Sequence, residues 1–405
     1  MVKTKVWVKV CLMVVFLITM FLWLGKTPYT GPETDDSVLL LPQVTQTAGP
    51  YEAPAPVEIP DDHEEPEDVQ PETIDDVLLM STGPLELPVE GATGWAAIAM
   101  PLYSEANTES DIVTDFAAGQ VFVIIEETGG WWYVESSSGE SGWVEHMACL
   151  VNLPDVIPSI EYNITNAYSA LTRSSGYEIP GVTGQRLYEA WSYNQRLLKY
   201  EFIVPMLYST SKLLFDAQQL ALKAGDTIII HEAYRAHASQ QRSVALLEEL
   251  MESNEEVDNA INDGPWNINW FIATSLSNHQ RGVAIDASLG KILSYEVKQI
   301  GESPYIGITE FEEYSMPTSM HELSPLAAAL VKPVSSRSRD AWREIPLSDT
   351  MTPGAVLLQN YFDEAGFTPL ASEWWHFNDL EGAIVSTDLG IVGSFFIEGI
   401  LSVLP

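Results

Sequence analysis

Two short strings near the C-terminal end of the chain carry residue types that can do chemistry together. One is Ser277-Asn278-His279-Gln280-Arg281-Gly282-Val283-Ala284-Ile285-Asp286, the other Glu373-Trp374-Trp375-His376. His279, Asp286 and His376 offer two imidazoles and a carboxylate, a set that suits one zinc ion with a fourth position left for water. A turn containing Gly282 and the start of a strand separate His279 from Asp286, so a bend can bring them together, and Ala284 leaves room beside the metal. His376 comes from a distant segment and would tie two parts of the fold together through the ion. Glu373, three positions earlier, can reach the water as general base and later pass the proton to a leaving amine. Arg235 directly follows the buried-strand pattern Thr227-Ile228-Ile229-Ile230 and its neighbours, where a guanidinium can share the charge of an oxyanion. The plainer alternatives are a surface acid for Glu373 and a simple ion pair for Arg235. Of the seven histidines, His231 and His237 read as hydrogen-bonded structural residues, and His63 and His146 as surface residues.

The elements that must position these groups lie in residues 153–405. Helical apolar spacing runs over 204–224 and stops at Gly225, a C-cap residue. A buried strand follows at 227–230, a second helix at 239–251 with Ser239 as N-cap, a strand at 283–289, and a third helix at 353–365 stopped by Gly366. Helices grouped around a few strands predict an α+β domain. Residues 382–404 are too broken by Gly, Asp and Glu to span a membrane and are expected to pack on the core as strand and helix.

Composition bounds the partners. Acidic residues outnumber basic ones 57 to 19, a formal net charge of −38, and no Lys or Arg occurs between Lys26 and Arg173. This balance disfavours nucleic acid, whose phosphates need Lys and Arg, and opposes adsorption to anionic membranes. Solubility and self-repulsion are the first reading of the acid excess, recruitment of divalent cations the sharper one. The two cysteines, Cys11 and Cys149, are too differently placed to pair, and Cys149 reads as a small buried apolar residue.

Residues 1–26 hold Lys3, Lys5 and Lys9 before a charge-free apolar run from Val10 to Gly25. At about 1.5 Å per residue that run spans roughly 24 Å as a helix. Val6, Trp7 and Val8 extend it if Lys9 snorkels. The lysines place the N-terminus in the cytoplasm and the rest outside. No small-residue cleavage site follows Leu24, which favours an uncleaved anchor over a signal peptide. The body of the protein is thus expected to be extracytoplasmic, tethered to the membrane or, if cleaved, secreted. Residues 27–91, rich in Pro and acid, read as a disordered, charge-extended stalk, with apolar clusters at 38–41 and 77–80 as optional docking spots.

Residues 92–152 change character. Val121-Phe122-Val123-Ile124-Ile125 and Trp131-Trp132-Tyr133-Val134 are strand-like runs split by a Gly-Gly turn, and Gly142-Trp143-Val144 follows another, which predicts a small all-β barrel. The order of Pro101-Leu102-Tyr103, Gly119-Gln120-Val121, Gly130 to Tyr133 and Gly142 to Val144 resembles the bacterial SH3-type modules attached to cell-wall enzymes. That resemblance makes Trp131, Trp132 and Trp143 candidates for a wall-binding groove, with one of the three expected in the core.

Together, Ser277-x-His279-x-x-Gly282-x-Ala284-x-Asp286, Glu373-x-Trp375-His376 and Tyr234-Arg235 resemble the zinc D-alanyl-D-alanine dipeptidase and carboxypeptidase family of bacterial cell-wall enzymes, over roughly residues 226–378. The Glu-Trp-Trp-His form is closer to the dipeptidase branch. The resemblance implies His279, Asp286 and His376 as zinc ligands, Glu373 as base, Arg235 as oxyanion partner, and Ser277 and Tyr234 near the substrate. One stretch departs from the family pattern. Dipeptidase members have Met-Gly-Thr followed by Phe-Asp, whose Asp meets the substrate's free amine. Here Met316-Pro317-Thr318-Ser319-Met320-His321 is followed by Glu322, so either His321 or Glu322 substitutes, or the amine pocket is absent and a longer peptide enters. The expected protein is a zinc peptidase acting on D-Ala-D-Ala, free or at the end of a peptidoglycan stem peptide. A carboxypeptidase trimming terminal D-Ala is the enzymatic alternative, and an inactive wall-binding scaffold the alternative of another class. Arg337, Arg339 and Arg343 read first as a solvated basic loop, with an anionic wall polymer as the sharper partner.

Overall fold

The computed structural model describes residues 73–80, 85–397 and 399–405. The expected membrane segment at 1–26 and most of the expected stalk lie outside them. Among the described residues, no helix is long and apolar enough to cross a membrane.

The last part of the expected stalk is folded, a correction to the sequence reading. Ile74–Met80 forms helix α1, and Val77 is buried against Leu222 and Ile306. Leu85, Leu87 and Val89 are buried too, and Gly91 donates its N–H to the Ile124 carbonyl at 2.7 Å. The apolar residues of an otherwise acidic stretch find a docking face, and burial outweighs the disorder its composition suggests.

The barrel region is built from β1 (Thr93–Ala96), β2 (Met100–Tyr103), β3 (Ile112–Phe116), β4 (Val121–Thr128), β5 (Trp131–Ser136), β6 (Ser141–Glu145) and β7 (Cys149–Asn152). Side chains alternate between inside and outside along β5 and β6, as the period of two requires. Trp132 is fully buried, whereas Trp131 and Trp143 stay half-buried on the other face, packed against Tyr103 and Tyr133. His146, expected at the surface, is only partly exposed and packs against Trp132 and Tyr208. Cys149 is buried, and burial pushes its thiol pKa up.

This sheet does not end with the barrel. A strand from the next domain, β9 (Pro205–Leu207), pairs with β7 and completes an eight-stranded sheet of order β9-β7-β1-β4-β5-β6-β2-β3. Helix α2 (Tyr208–Lys223) starts directly from β9, and the Tyr208 hydroxyl donates to Glu127 on β4 at 2.8 Å. The two domains therefore share one sheet and one buried interface.

The second sheet carries the chemistry. Its strands are β8 (Glu161–Tyr162), β10 (Asp226–Glu232), β11 (Ala284–Ile300), β12 (Ser303–Glu313), β13 (Thr368–Leu370) and β14 (Glu373–Asn378). The order is β13-β14-β11-β10-β8, with β12 on β11, and only β8 and β10 run parallel. Helix α2 is C-capped by Ala224, with Gly225 at φ 75°, and covers β10. Helix α4 (Pro353–Glu364), N-capped by Thr352, covers β11, β13 and β14 beside it. Helix α3 (His237–Ser253), which begins two residues before the expected Ser239, and helix α5 (Leu380–Asp388) complete the α+β domain. Beyond α5 no strand forms among the described residues. Instead Ile391 is buried, Phe395 stacks on Tyr234, and Val403 donates its N–H to Gly91, so the terminus straps the two domains together.

Candidate metal centre and active site

Register on the second sheet assembles the site. Asp286 on β11 lies directly opposite His376 on β14 and, on its other side, opposite Glu232 at the end of β10. One row across three strands thus holds two acids and an imidazole. Alternation sends Phe377 into a stack with Phe362 of α4, which leaves its neighbour His376 on the opposite face. His279 reaches the same place from a single 3₁₀ turn, His279–Arg281, closed by Gly282 at φ 70°. A side chain at Gly282 would approach Leu150 to 2.8 Å and the Leu207 nitrogen to 2.9 Å, so glycine is needed for both conformation and space.

The ligand atoms converge. His279 Nε2 is 3.2 Å from His376 Nδ1 and 3.2 Å from Asp286 Oδ1, and His376 Nδ1 is 2.9 Å from that same oxygen. Tetrahedral zinc with bonds near 2.1 Å has ligands roughly 3.4 Å apart, so this triangle fits one ion. The outer partners fix the rings. His279 donates Nδ1–H to the Ala233 carbonyl at 2.7 Å, and His376 donates Nε2–H to Asn378 Oδ1 at 3.1 Å. Both inward nitrogens are thereby left for a cation. Burial works against the His376 imidazolium, but the hydrogen bond and charge of Asp286, with the charge of Glu373, outweigh it and raise its pKa. Burial likewise opposes charge on Asp286, yet the imidazoles of His279, His321 and His376 hold its carboxyl well below the usual range.

Glu373 stands beside the triangle, its Oε2 3.6 Å from His376 Nδ1. Burial pushes its pKa up to about 8, with His376 pulling the other way. Arg235 is paired, as the plainer reading expected. Its Nε donates to Glu232 Oε2 at 2.7 Å, Nη2 to Glu232 and to Asp286 Oδ2, and Nη1 to Gln240 Oε1 at 2.8 Å. A guanidinium has five N–H groups, and one on Nη1 is left over at the wall of the cleft. Glu232 itself, fully buried, also accepts from Asn166 Nδ2 at 2.7 Å and from the Tyr188 hydroxyl at 2.8 Å. Its acid lies below its ordinary pKa because Arg235 and the nearby imidazoles outweigh burial. Glu232, His321 and Asp286 also lie close enough to hold a metal, but the Arg235 guanidinium already fills that place.

Ser277, His279, Asp286, Glu373, His376 and Arg235 all line one cleft of about 760 Å³. The other expected substrate contacts divide. Ser277 lines the cleft and its Oγ accepts from His279 N–H at 3.2 Å. Tyr234 does not line it: its hydroxyl donates to the carbonyls of Gly393 and Phe395, because the C-terminal strap covers that side. Glu322 is turned away as well, buried and accepting from Ser324 Oγ and Gly176 N–H. His321 lines the cleft but is engaged, donating Nε2–H to Asp286 Oδ2 at 3.1 Å from a backbone at φ 58°. It holds the Asp286 carboxylate, so neither His321 nor Glu322 is left free to meet an amine.

Glu232, Asn378 and the Ala233 carbonyl were not foreseen. A trace of each was present: Glu232 ends an otherwise apolar buried strand, and Asn378 follows His376 by two residues, hence on the same face. His231 and His237 bear out the structural reading, bonding Ser288 and Gln280, and burial drives the His231 pKa down to about 3.

Comparison with protein families agrees with this geometry. Residues 206–389 match the model described as D-ala-D-ala dipeptidase, and residues 99–150 match the bacterial SH3 domain. A search of curated proteins gave no match.

Proposed function

We propose that this chain, whose residues 206–389 match the D-ala-D-ala dipeptidase family, is a zinc peptidase that hydrolyses the bond between two D-alanines in cell-wall peptides or the free dipeptide. The observation that carries the reading is the triangle of His279, Asp286 and His376, with Glu373 beside it in a large cleft. Zinc held there would supply Lewis acidity and a water of lowered pKa. The chain's own residues do the rest. Glu373 takes the proton of the attacking water and delivers it to the departing amine nitrogen. The spare N–H of Arg235 meets the oxygen that becomes negative in the tetrahedral intermediate, and Glu232 holds the guanidinium at the angle required. His321 keeps Asp286 from rotating.

A carboxypeptidase reading is favoured over a strict dipeptidase by one observation: His321 and Glu322 are both engaged within the protein, which leaves the substrate's amine without its expected acid. We infer an extracytoplasmic location, with residues 1–26 as membrane anchor and the SH3 module holding the wall. Release of D-alanine from D-Ala-D-Ala and from an acetylated peptide with that ending, with and without chelator, tests the reading. Chelator-sensitive release is expected from at least one, and Glu373→Gln should reduce it by roughly 10²–10⁴-fold at unchanged zinc content. Equal activity of the Glu373→Gln protein would remove Glu373 from the mechanism. A zinc-loaded protein that releases nothing would favour the inactive scaffold.

A further inference from the structure

Between the two matched segments the chain folds a small hairpin that joins neither large sheet. Its strands, Trp191–Asn194 and Lys199–Phe202, pair antiparallel, with Trp191 opposite Phe202 and Tyr193 opposite Tyr200. Alternation puts those four rings on one face and Ser192, Asn194, Lys199 and Glu201 on the other. The burial is the reverse of the usual apolar-in, polar-out arrangement. Asn194 and Glu201 are buried, whereas Trp191, Tyr193 and Tyr200 are 46%, 45% and 62% exposed. Polar contacts hold the hidden face. Asn194 donates Nδ2–H to Asp155 Oδ1 at 2.5 Å and accepts the Leu197 N–H at 3.0 Å, and Lys199 pairs with Glu201. Core packing therefore does not account for the aromatic face, and an exposed apolar patch of this kind marks a binding surface.

The rings form one surface. Trp191 lies nearly parallel to Tyr200, at 13° with centroids 6.5 Å apart, and meets Phe202 edge-on at 4.6 Å. Tyr193 packs on Tyr200 at 5.4 Å, and Tyr168, 44% exposed, extends the row beside Phe202 at 6.1 Å. Among the described residues, neither the Trp191 indole N–H nor the hydroxyls of Tyr193 and Tyr200 has a hydrogen-bond partner. The face also adjoins the cleft. Asn166 lines the cleft and bonds Glu232, and Tyr168 follows it by two residues, at most about 7 Å of chain.

Area and charge limit what can sit there. Four aromatic side chains of about 200 Å² each, roughly half exposed, present about 400 Å². Even with the exposed Leu198 of the turn, that falls well short of the roughly 800 Å² per partner of a stable protein interface. A second copy would also bring its own net charge of −38. An uncharged amphipathic chain meets no such opposition. A sugar ring has a face of C–H groups that lies on an aromatic ring, and a polar rim that takes the free N–H and O–H groups beside it.

We propose that Trp191, Tyr193, Tyr200 and Tyr168 form a platform for an uncharged sugar chain beside the cleft. On the D-Ala-D-Ala reading, a peptide carried on such a chain is held near Glu373, which raises its effective concentration there. Sugar binding itself requires neither zinc nor turnover.

Calorimetric titration of the full-length protein with a hexasaccharide of β-linked N-acetylglucosamine, which carries neither peptide nor charge, tests the platform. Saturable binding is expected, with equal affinity at low and high salt because no ion pair is made. Trp191→Ala and Tyr200→Ala are each expected to weaken it by about ten-fold. Tyr200 is the most exposed of the rings, so an unchanged melting temperature in Tyr200→Ala identifies the loss as one of contact rather than of folding. No binding of the hexasaccharide, or undiminished binding by both variants, would overturn the platform. Binding lost in Trp143→Ala but kept in Tyr200→Ala would assign the sugar to the SH3 module and overturn it as well. So would dimerisation in sedimentation that Tyr200→Ala abolishes, which would give the face to a second copy. Sugar binding together with no D-alanine release from any peptide would instead sustain the platform and reject the D-Ala-D-Ala activity.

Discussion

At Glu232 a single buried acid carries three jobs: it neutralises Arg235, accepts from Asn166, and accepts from Tyr188. Removing one member of a buried pair leaves the other charged and unpaired, a loss of about 3–5 kcal/mol. Asp286 retains one contact to the guanidinium, so Glu232→Gln is expected toward the lower end of that range, with kcat falling more than KM rises. Thermal melting and steady-state kinetics on one preparation check both. Unchanged stability would mean that Asp286 alone suffices for Arg235. The grouping of His279, Asp286, His376 and Glu373 was legible in the sequence because their types and spacing are demanding. Glu232 was not, because an acid at the end of a strand looks the same whether it is solvated or holds an active-site arginine. His321 and Glu322 stayed open in the sequence for a related reason. Sequence offered either of them, or neither, for the substrate's amine, and only the backbone, left-handed at His321, decides which way each side chain turns.

Gly282 sets the geometry at the level of elements. It ends the turn that carries His279, starts the chain toward β11 and Asp286, and accepts the Leu207 N–H of β9 at 2.9 Å. Gly282→Ala places a methyl against Leu150 and the Leu207 backbone in a conformation that costs an L-residue about 1–2 kcal/mol before any clash. The expected outcome is a lower melting temperature and weaker zinc affinity together. Reduced stability with undiminished zinc affinity would show that the metal triangle does not depend on this turn. The helices over 204–224 and 353–365 and the strand at 283–289 were readable from apolar period and from Gly225 and Gly366. The strand β9 was hidden, since Pro205–Leu207 continues the apolar run of α2 and only its partner β7 makes it a strand. Helix α1 was legible only as an apolar docking spot at 77–80 in an acidic stretch, and burial of Val77 against Leu222 and Ile306 is a tertiary fact.

For the whole molecule, the shared sheet and the C-terminal strap make the SH3 module and the peptidase domain one body, where sequence suggested two domains in series. Glu86, just before the barrel, is buried, accepting from Ser159 N–H at 3.1 Å while its other oxygen has no hydrogen-bond partner, and burial pushes its pKa up to about 8. Below the ordinary carboxylate pKa both folded and unfolded chains carry its proton, so it adds no pH dependence there. From about 4.5 to 8 only the folded chain keeps the proton, so this group's contribution to stability falls as pH rises, by a few kcal/mol in all. Glu86→Gln is expected to raise stability at pH 8 relative to pH 5 when both proteins are unfolded in urea, and an unchanged pH slope would contradict it. The proposed function requires that His279, Asp286 and His376 hold one zinc ion and that Glu373 act beside it to hydrolyse a D-alanine bond. D-Alanine release from acetyl-Ala-Glu-D-Ala-D-Ala, measured as zinc is titrated into chelator-stripped protein, tests it most directly. Release that climbs to a plateau at one zinc per chain, and is lost in His376→Ala, is the predicted result. Release that ignores zinc, or none at full zinc occupancy, would rule that function out.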